Sequence, residues 1–148
     1  MRVSETTPSG TYQYENNPLN GRPLLESGPE GNFTDFYTGD HLISETSPAL
    51  QLYYHYDSIG NVVTVTDGST GKVRQNYNYN AWGQNSTIDA LGAKNKYKAM
   101  RGYTDPVTGF IYLGGSSYYN PAWGRTFSGN AVAGYPDSYV YDADNPVQ

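Results

Sequence analysis

The stretch Tyr54-His55-Tyr56-Asp57-Ser58-Ile59-Gly60 returns as Tyr77-Asn78-Tyr79-Asn80-Ala81-Trp82-Gly83, 23 positions further on. Each copy has two alternate tyrosines followed by a turn glycine, and such self-similarity is the mark of a repeat-built β protein. Side chains alternate faces along a strand, so Tyr54 and Tyr56 share one face while His55 points to the other, and Tyr77 and Tyr79 flank Asn78 in the same way. Function in such proteins is usually a property of the assembled wall rather than of one pocket.

Working outward, the clearest meander runs from Leu52 to Asp57, turns at Ser58 to Gly60, and continues through Val62-Val63-Thr64-Val65. It turns again at Asp67-Gly68-Ser69-Thr70-Gly71 and is read as a strand from Val73 to Asn80, so one repeat holds two strands and two turns. A looser copy lies upstream at Tyr12-Gln13-Tyr14-Glu15, with its turn lengthened through Asn16-Asn17-Pro18-Leu19-Asn20 to Gly21 and a second turn at Gly28-Pro29-Glu30-Gly31-Asn32. After Gly83 the pattern goes on through Ile88-Asp89-Ala90-Leu91-Gly92 to Tyr97. The repeats are placed at about 10–51, 52–75 and 76–99, with a further segment over 100–148, in one domain spanning 1–148. Roughly ten short strands are expected, and no window of about 12 residues supports a helix.

Composition agrees with this reading. The 148 residues suit one domain, and 36 % hydrophobic residues leave material for a modest core. With 16 Tyr against 4 Phe and 2 Trp, tyrosine must supply much of the buried surface, each ring apolar in body and polar at its tip. The net charge is −5 and the nine Lys and Arg are scattered, which argues against a nucleic-acid partner. The absence of cysteine removes disulfides and thiolate metal sites. No apolar run approaches the roughly 20 residues of a membrane span, and the start lacks a signal-peptide core, so any export address lies outside this chain.

The residues now assembled resemble the YD-repeat, or Rhs, family, and within it the repeat-associated core. Tyr54-His55-Tyr56-Asp57, Gly60-Asn61, Thr66-Asp67 and Gly71 resemble a family repeat nearly position for position. More specific is the series from Arg101-Gly102-Tyr103-Thr104-Asp105-Pro106 through Thr108-Gly109-Phe110-Ile111-Tyr112-Leu113-Gly114 to Tyr118-Tyr119-Asn120-Pro121-Ala122-Trp123-Gly124-Arg125. The resemblance implies an all-β antiparallel meander that in longer members spirals into a hollow shell, enclosing a toxin in some and serving surface adhesion in others. It also implies self-cleavage by an aspartate pair in Asp-Pro motifs. Here Asn130-Ala131 stands in place of the first motif and the second is absent, and an amide cannot act as a general base.

The expectation is therefore a non-catalytic structural module of a secreted or cell-surface protein, without cofactor or metal, acting by strand pairing. Its partners are other copies of itself or adjoining YD repeats, in a fibre or a shell. Alternatives are the terminal shell segment of a toxin-delivery protein and a carbohydrate-binding adhesion module. The repeat tyrosines Tyr12, Tyr14, Tyr54, Tyr56, Tyr77, Tyr79, Tyr118 and Tyr119 are assigned to cross-strand packing. Trp82 and Trp123, each just before a turn glycine, suit a packed corner or an exposed glycan contact. Asp137, Asp142, Asp144 and Asn145 lack the spacing of a calcium loop and are read as solvated turn residues. His41 and His55 have no nucleophile or metal set to join, and Asn32 and Asn85 fit the glycosylation acceptor pattern. Met1 opens in mid-repeat, as in a piece of something longer.

Overall fold

The computed structural model describes residues 3–127 apart from 20, 30, 39–40, 92–94, 106 and 115–116. Eight strands follow one another as an antiparallel meander in sequence order: β1 (Ser4–Thr7), β2 (Gly10–Asn16), β3 (Pro23–Gly28), β4 (Gly31–Thr38), β5 (His41–Ser47), β6 (Leu50–Tyr56), β7 (Val62–Asp67) and β8 (Val73–Asn76). A second sheet, in spatial order β12-β11-β10-β9, is built from β9 (Tyr103–Thr104), β10 (Ile111–Gly114), β11 (Ser117–Asn120) and β12 (Arg125–Thr126). The all-β antiparallel reading is correct, with twelve strands among the described residues instead of roughly ten. The one helical element there is a single 3-10 turn at Ala99–Arg101.

The turns share one device. In each of Asn17, Asp57, Asp67, Asn80, Asp105 and Asn120 the side-chain oxygen accepts a backbone N–H two residues on, at 2.9–3.1 Å. The backbone carbonyl of the same residue then accepts the N–H of the glycine that closes the turn. Asp and Asn bond their own backbone two residues ahead, which holds the chain in a turn without help from the core. The closing glycine sits in the left-handed region, at φ 91° for Gly60 and 69° for Gly71, where a side chain would be strained.

Register shifts fall late in strands β2, β4 and β6, at Glu15/Asn16, Phe36/Tyr37 and His55/Tyr56. A bulge of this kind bends its strand and increases local twist. Tyr12, Tyr14, Leu42, Leu52, Tyr54, Val62 and Val65 are buried on one face, joined there by Tyr97, Tyr103 and Tyr112 from the second half of the chain. Each fully buried Leu or Val contributes about 1.5–3 kcal/mol of transfer free energy. Ala99, Ile111 and Tyr119 form a smaller cluster.

One strand is shorter than expected. β8 ends at Asn76; the Tyr77 N–H still donates to the Val63 carbonyl of β7 at 2.9 Å, and beyond it the backbone bonds to side chains and turns. Gln75 donates to the carbonyls of Asn76 and Ile88 and accepts from the Ala90 N–H, and the Asn78 N–H goes to the Thr87 hydroxyl. Tyr77 and Tyr79 therefore lie past the end of β8, Tyr77 buried and Tyr79 bridged to Asn85. Among the described residues no helix is long and apolar enough to cross a membrane.

Candidate functional site

Strand alternation carries more than tyrosine to the covered face. Tyr14 pairs with Glu26, Glu26 with Phe33, Asp35 with Glu45, and Glu45 with Leu52, so three carboxyl groups share a face with the tyrosines. Residues 95–104 form a strap across this face. Asn95, fully buried, donates to the Tyr77 hydroxyl at 2.8 Å and accepts the Tyr97 N–H at 2.9 Å, which sets the strap's direction. The Lys96 ammonium pairs with Glu26 and lies 4.8 Å from the centre of the Tyr12 ring. Lys98 reaches out to Asp89 at 2.7 Å.

Tyr97 is the centre of the cluster. Its hydroxyl donates to Asp35 Oδ2 at 2.6 Å, and its ring meets Tyr37, Tyr54 and Tyr103 edge to face. The Tyr37 hydroxyl lies 2.7 Å from that of Tyr97 and 3.3 Å from the same carboxylate oxygen. At the other end, the Tyr14 hydroxyl lies 3.2 Å from that of Tyr103 and donates to Glu5 at 3.0 Å. Asp35 Oδ1 and the Tyr54 hydroxyl are buried without a protein partner.

Burial governs the protonation of these groups. It pushes the Asp35 carboxyl up to about 7, against the opposing pull of the Tyr97 hydrogen bond. Glu45 is driven well above the usual carboxylate range by burial and then by the charge of Asp35 opposite it. The Tyr97 and Tyr54 hydroxyls are likewise pushed up by burial, so all these tyrosines are neutral donors at ordinary pH. The arrangement holds protons. No group of three His, Asp or Glu among the described residues is placed to hold a metal ion.

The strap leaves through strained backbone. Met100 and Arg101 have φ 56° and 54°, an unusual conformation for residues other than glycine. The Asn61 side chain accepts the Met100 N–H at 3.0 Å, and the Gly60 carbonyl accepts the Arg101 N–H at 3.0 Å. The Arg101 side chain packs over Gly60 so closely that a Cβ there would lie 2.2 Å from Nε. Beside this bend a recess of about 280 Å³ is lined by Tyr79, Asn85, Lys98, Thr104 and Asn120. The Asn85 and Asn120 side chains are already engaged in turn hydrogen bonds.

Of the residues singled out in the sequence, Tyr12, Tyr14, Tyr54 and Tyr56 project to the covered face, the first three buried and Tyr56 half-buried. Tyr119 is fully buried, and its hydroxyl donates to the Trp82 carbonyl at 3.0 Å. Tyr118 is half-buried, with its ring 5.2 Å from that of Tyr112. Trp82 is partly exposed and covers Gly124, while Trp123 is 71 % exposed and lies 6.0 Å from the Phe127 ring. Asn32 is exposed on β4; Asn85 bonds Thr87. His41 meets the Tyr56 ring edge to face, and His55 bonds Thr66. Asn130-Ala131 and Asp137, Asp142, Asp144 and Asn145 lie outside the described residues. Sequence reasoning missed Glu26, Asp35, Glu45 and Lys96. The alternation in Phe33-Thr34-Asp35-Phe36-Tyr37 was a usable signal, since it puts Asp35 on the face of Phe33 and Tyr37.

No protein-family model matches the chain. It is 32 % identical over 147 residues to the tRNA3(Ser)-specific nuclease WapA of Bacillus spizizenii, and 33 % identical over 147 residues to the tRNA nuclease WapA of Bacillus subtilis strain 168. Each alignment covers 92 % of this chain but only 6 % of the relative. These names overturn the expectation of a non-catalytic structural module, and with it the expectation that the protein is not an enzyme. The missing Asp-Pro motif spoke only of self-cleavage, and a repeat-built wall does not exclude a nuclease in the same polypeptide. Among solved structures, TcdB2-TccC3-TEV matches with TM-score 0.65 and 15 % identity over 97 % of this chain and 8 % of that one. The Photorhabdus luminescens Tc holotoxin pore with a mutated TccC3 matches with TM-score 0.62 and 18 % identity over the same shares. The eight-stranded meander, its repeated Asx-glycine turns and these two neighbours together show that the chain has an Rhs/YD-repeat-like fold.

Proposed function

We propose that this chain works in a nuclease toxin directed at tRNA, as part of that protein's YD-repeat body, with residues 100–148 as its repeat-associated core. The observation that carries the reading is the 32–33 % identity, sustained over 92 % of the chain, to proteins named tRNA nucleases. The Rhs/YD-repeat-like fold supports it, because one neighbour that shares the fold is by title a Tc holotoxin pore. A place outside the cell or at its surface belongs to the same reading, as does the division into repeats at about 10–51, 52–75 and 76–99. β1 and β8 stand at the two ends of the sheet, where adjoining repeats would pair.

The nuclease activity is assigned to the whole polypeptide. The protonated carboxyls described above are covered by the strap and do not face a phosphodiester. The complete natural polypeptide containing this chain, incubated with total tRNA and run on a denaturing gel, is expected to give discrete cleavage products. Intact tRNA after prolonged incubation at equimolar protein would overturn the proposal.

A further inference from the structure

Asp35 and Glu45 are direct cross-strand partners on the covered face. Like charges in that relation are destabilising even on an open sheet. Here the repulsion is sharpened because the strap excludes water and the compensating charge is spent elsewhere: Lys96, the ammonium facing this cluster from the strap, is paired with Glu26. With every group ionised, three carboxylates would share one ammonium.

The remaining groups facing the pair are neutral donors. Tyr37 from β4 and Tyr97 from the strap both address Asp35 Oδ2, and Tyr54 from β6 leaves its hydroxyl without a protein partner. Asp35 Oδ1 is also buried without a protein partner. On the strap itself, backbone bonds to the sheet region run from Val62 N–H to the Lys98 carbonyl and from Arg101 N–H to the Gly60 carbonyl. Both lie in the middle of the strap, and beyond them Tyr103 and Thr104 pair with β10 in the second sheet. The arm over Asp35, residues 95–97, is tied through its backbone to β9, where the Thr104 N–H donates to the Lys96 carbonyl. Lys96 on Glu26 and Tyr97 on Asp35 tie it to the eight-stranded sheet through side chains.

We propose that the Asp35–Glu45 pair is a proton-operated latch: while the pair retains a proton the arm of residues 95–97 stays seated on the eight-stranded sheet, and when both carboxyls ionise the arm, still mostly seated, opens about tenfold or more often. Opening admits water to two carboxylates that otherwise repel each other in a dry site, and the bonds at Lys98 and Arg101 act as the hinge. The direction of linkage agrees. A carboxyl whose folded pKa is raised stabilises the closed form fully below its ordinary pKa, and that contribution is lost as pH rises through the folded value. The latch is independent of the nuclease reading, since its test involves no RNA.

The test is hydrogen exchange on the intact chain, comparing a peptide spanning the arm with one spanning β6 and β7 after correction for intrinsic rates. Protection of the arm is expected to fall about tenfold or more between pH 5.5 and 8.5 while β6–β7 holds, the pattern of a local opening. Equal protection of the arm at both pH values would overturn the latch, and so would a parallel loss in β6–β7, which would mean global destabilisation. In the Asp35→Asn/Glu45→Gln double variant the arm's pH response should vanish; its persistence would overturn the assignment. Carboxyl ¹³C titration of the wild-type chain keeps the test open if that variant does not fold. At least one carboxyl should titrate above about pH 6, and titration of all of them in the ordinary range would refute the proposal.

Discussion

Replacing Tyr97 with Phe removes one oxygen and keeps the ring. The ring's edge-to-face contacts with Tyr37, Tyr54 and Tyr103 survive, so the loss is confined to the hydroxyl, which donates to Asp35 at 2.6 Å and meets the Tyr37 hydroxyl at 2.7 Å. A hydrogen bond to a charged group is worth about 1.5–3 kcal/mol. Tyr37 retains a weaker contact with the same oxygen at 3.3 Å, so a loss of about 2 kcal/mol is expected at pH 8, where Asp35 is mostly ionised. For a chain of this size that lowers Tm by roughly 4–8 °C.

The pH dependence gives a sharper test. The folded pKa of Asp35 is raised to about 7, so its contribution to stability is present below its ordinary pKa and is lost as pH climbs through about 7. The Tyr97 hydroxyl stabilises the ionised form; without it the folded pKa rises further and the loss extends to higher pH. The deficit of Tyr97→Phe must therefore be larger at pH 8 than at pH 5. Thermal unfolding followed by circular dichroism at the two pH values reads this directly. A deficit below about 0.5 kcal/mol at both, the level of an indifferent surface change, or a larger deficit at pH 5, would refute the reasoning.

Four further expectations rest on packing and turn chemistry. Leu52→Ala, at a fully buried position of the sheet, should cost about 2–5 kcal/mol in urea unfolding with an unchanged m-value. Gly71→Ala should cost only the strain of its left-handed backbone, about 1 kcal/mol, because the space around it is open. Gly60→Ala should cost clearly more in the same assay, since its methyl would meet the Arg101 side chain. The Ser69 hydrogen bond and then the Arg74 guanidinium hold the Asp67 carboxyl well below the usual range, so its contribution is present above its ordinary pKa and lost on acidification. In Arg74→Ala, a ¹³C titration should show the Asp67 midpoint moving up towards the ordinary value.

The two tyrosine repeats reveal strands because period-two spacing and a turn glycine are local properties, decided within a few residues. That is why the ends of β6 and β7 lie close to where the sequence places them. The strand read from Val73 to Asn80 is cut short at Asn76 for a non-local reason: the Gln75 amide ties the backbone to Ile88 and Ala90. The Trp residues illustrate the same limit. Each stands before a turn glycine, yet Trp82 covers Gly124 while Trp123 is largely exposed, a difference set by which part of the chain comes to lie opposite.

What the sequence by itself determined is the all-β meander and the tyrosine face, since both follow from alternation and turn chemistry that each short segment carries within itself. Only the tertiary structure decided that Asp35 faces Glu45 and that Tyr97 comes to rest on Asp35. The first depends on a register that pairs β4 with β5, and the second brings together residues 62 positions apart. Contacts of that kind arise from the burial of one segment against another, and no local pattern encodes which carboxyl will be covered or what will cover it.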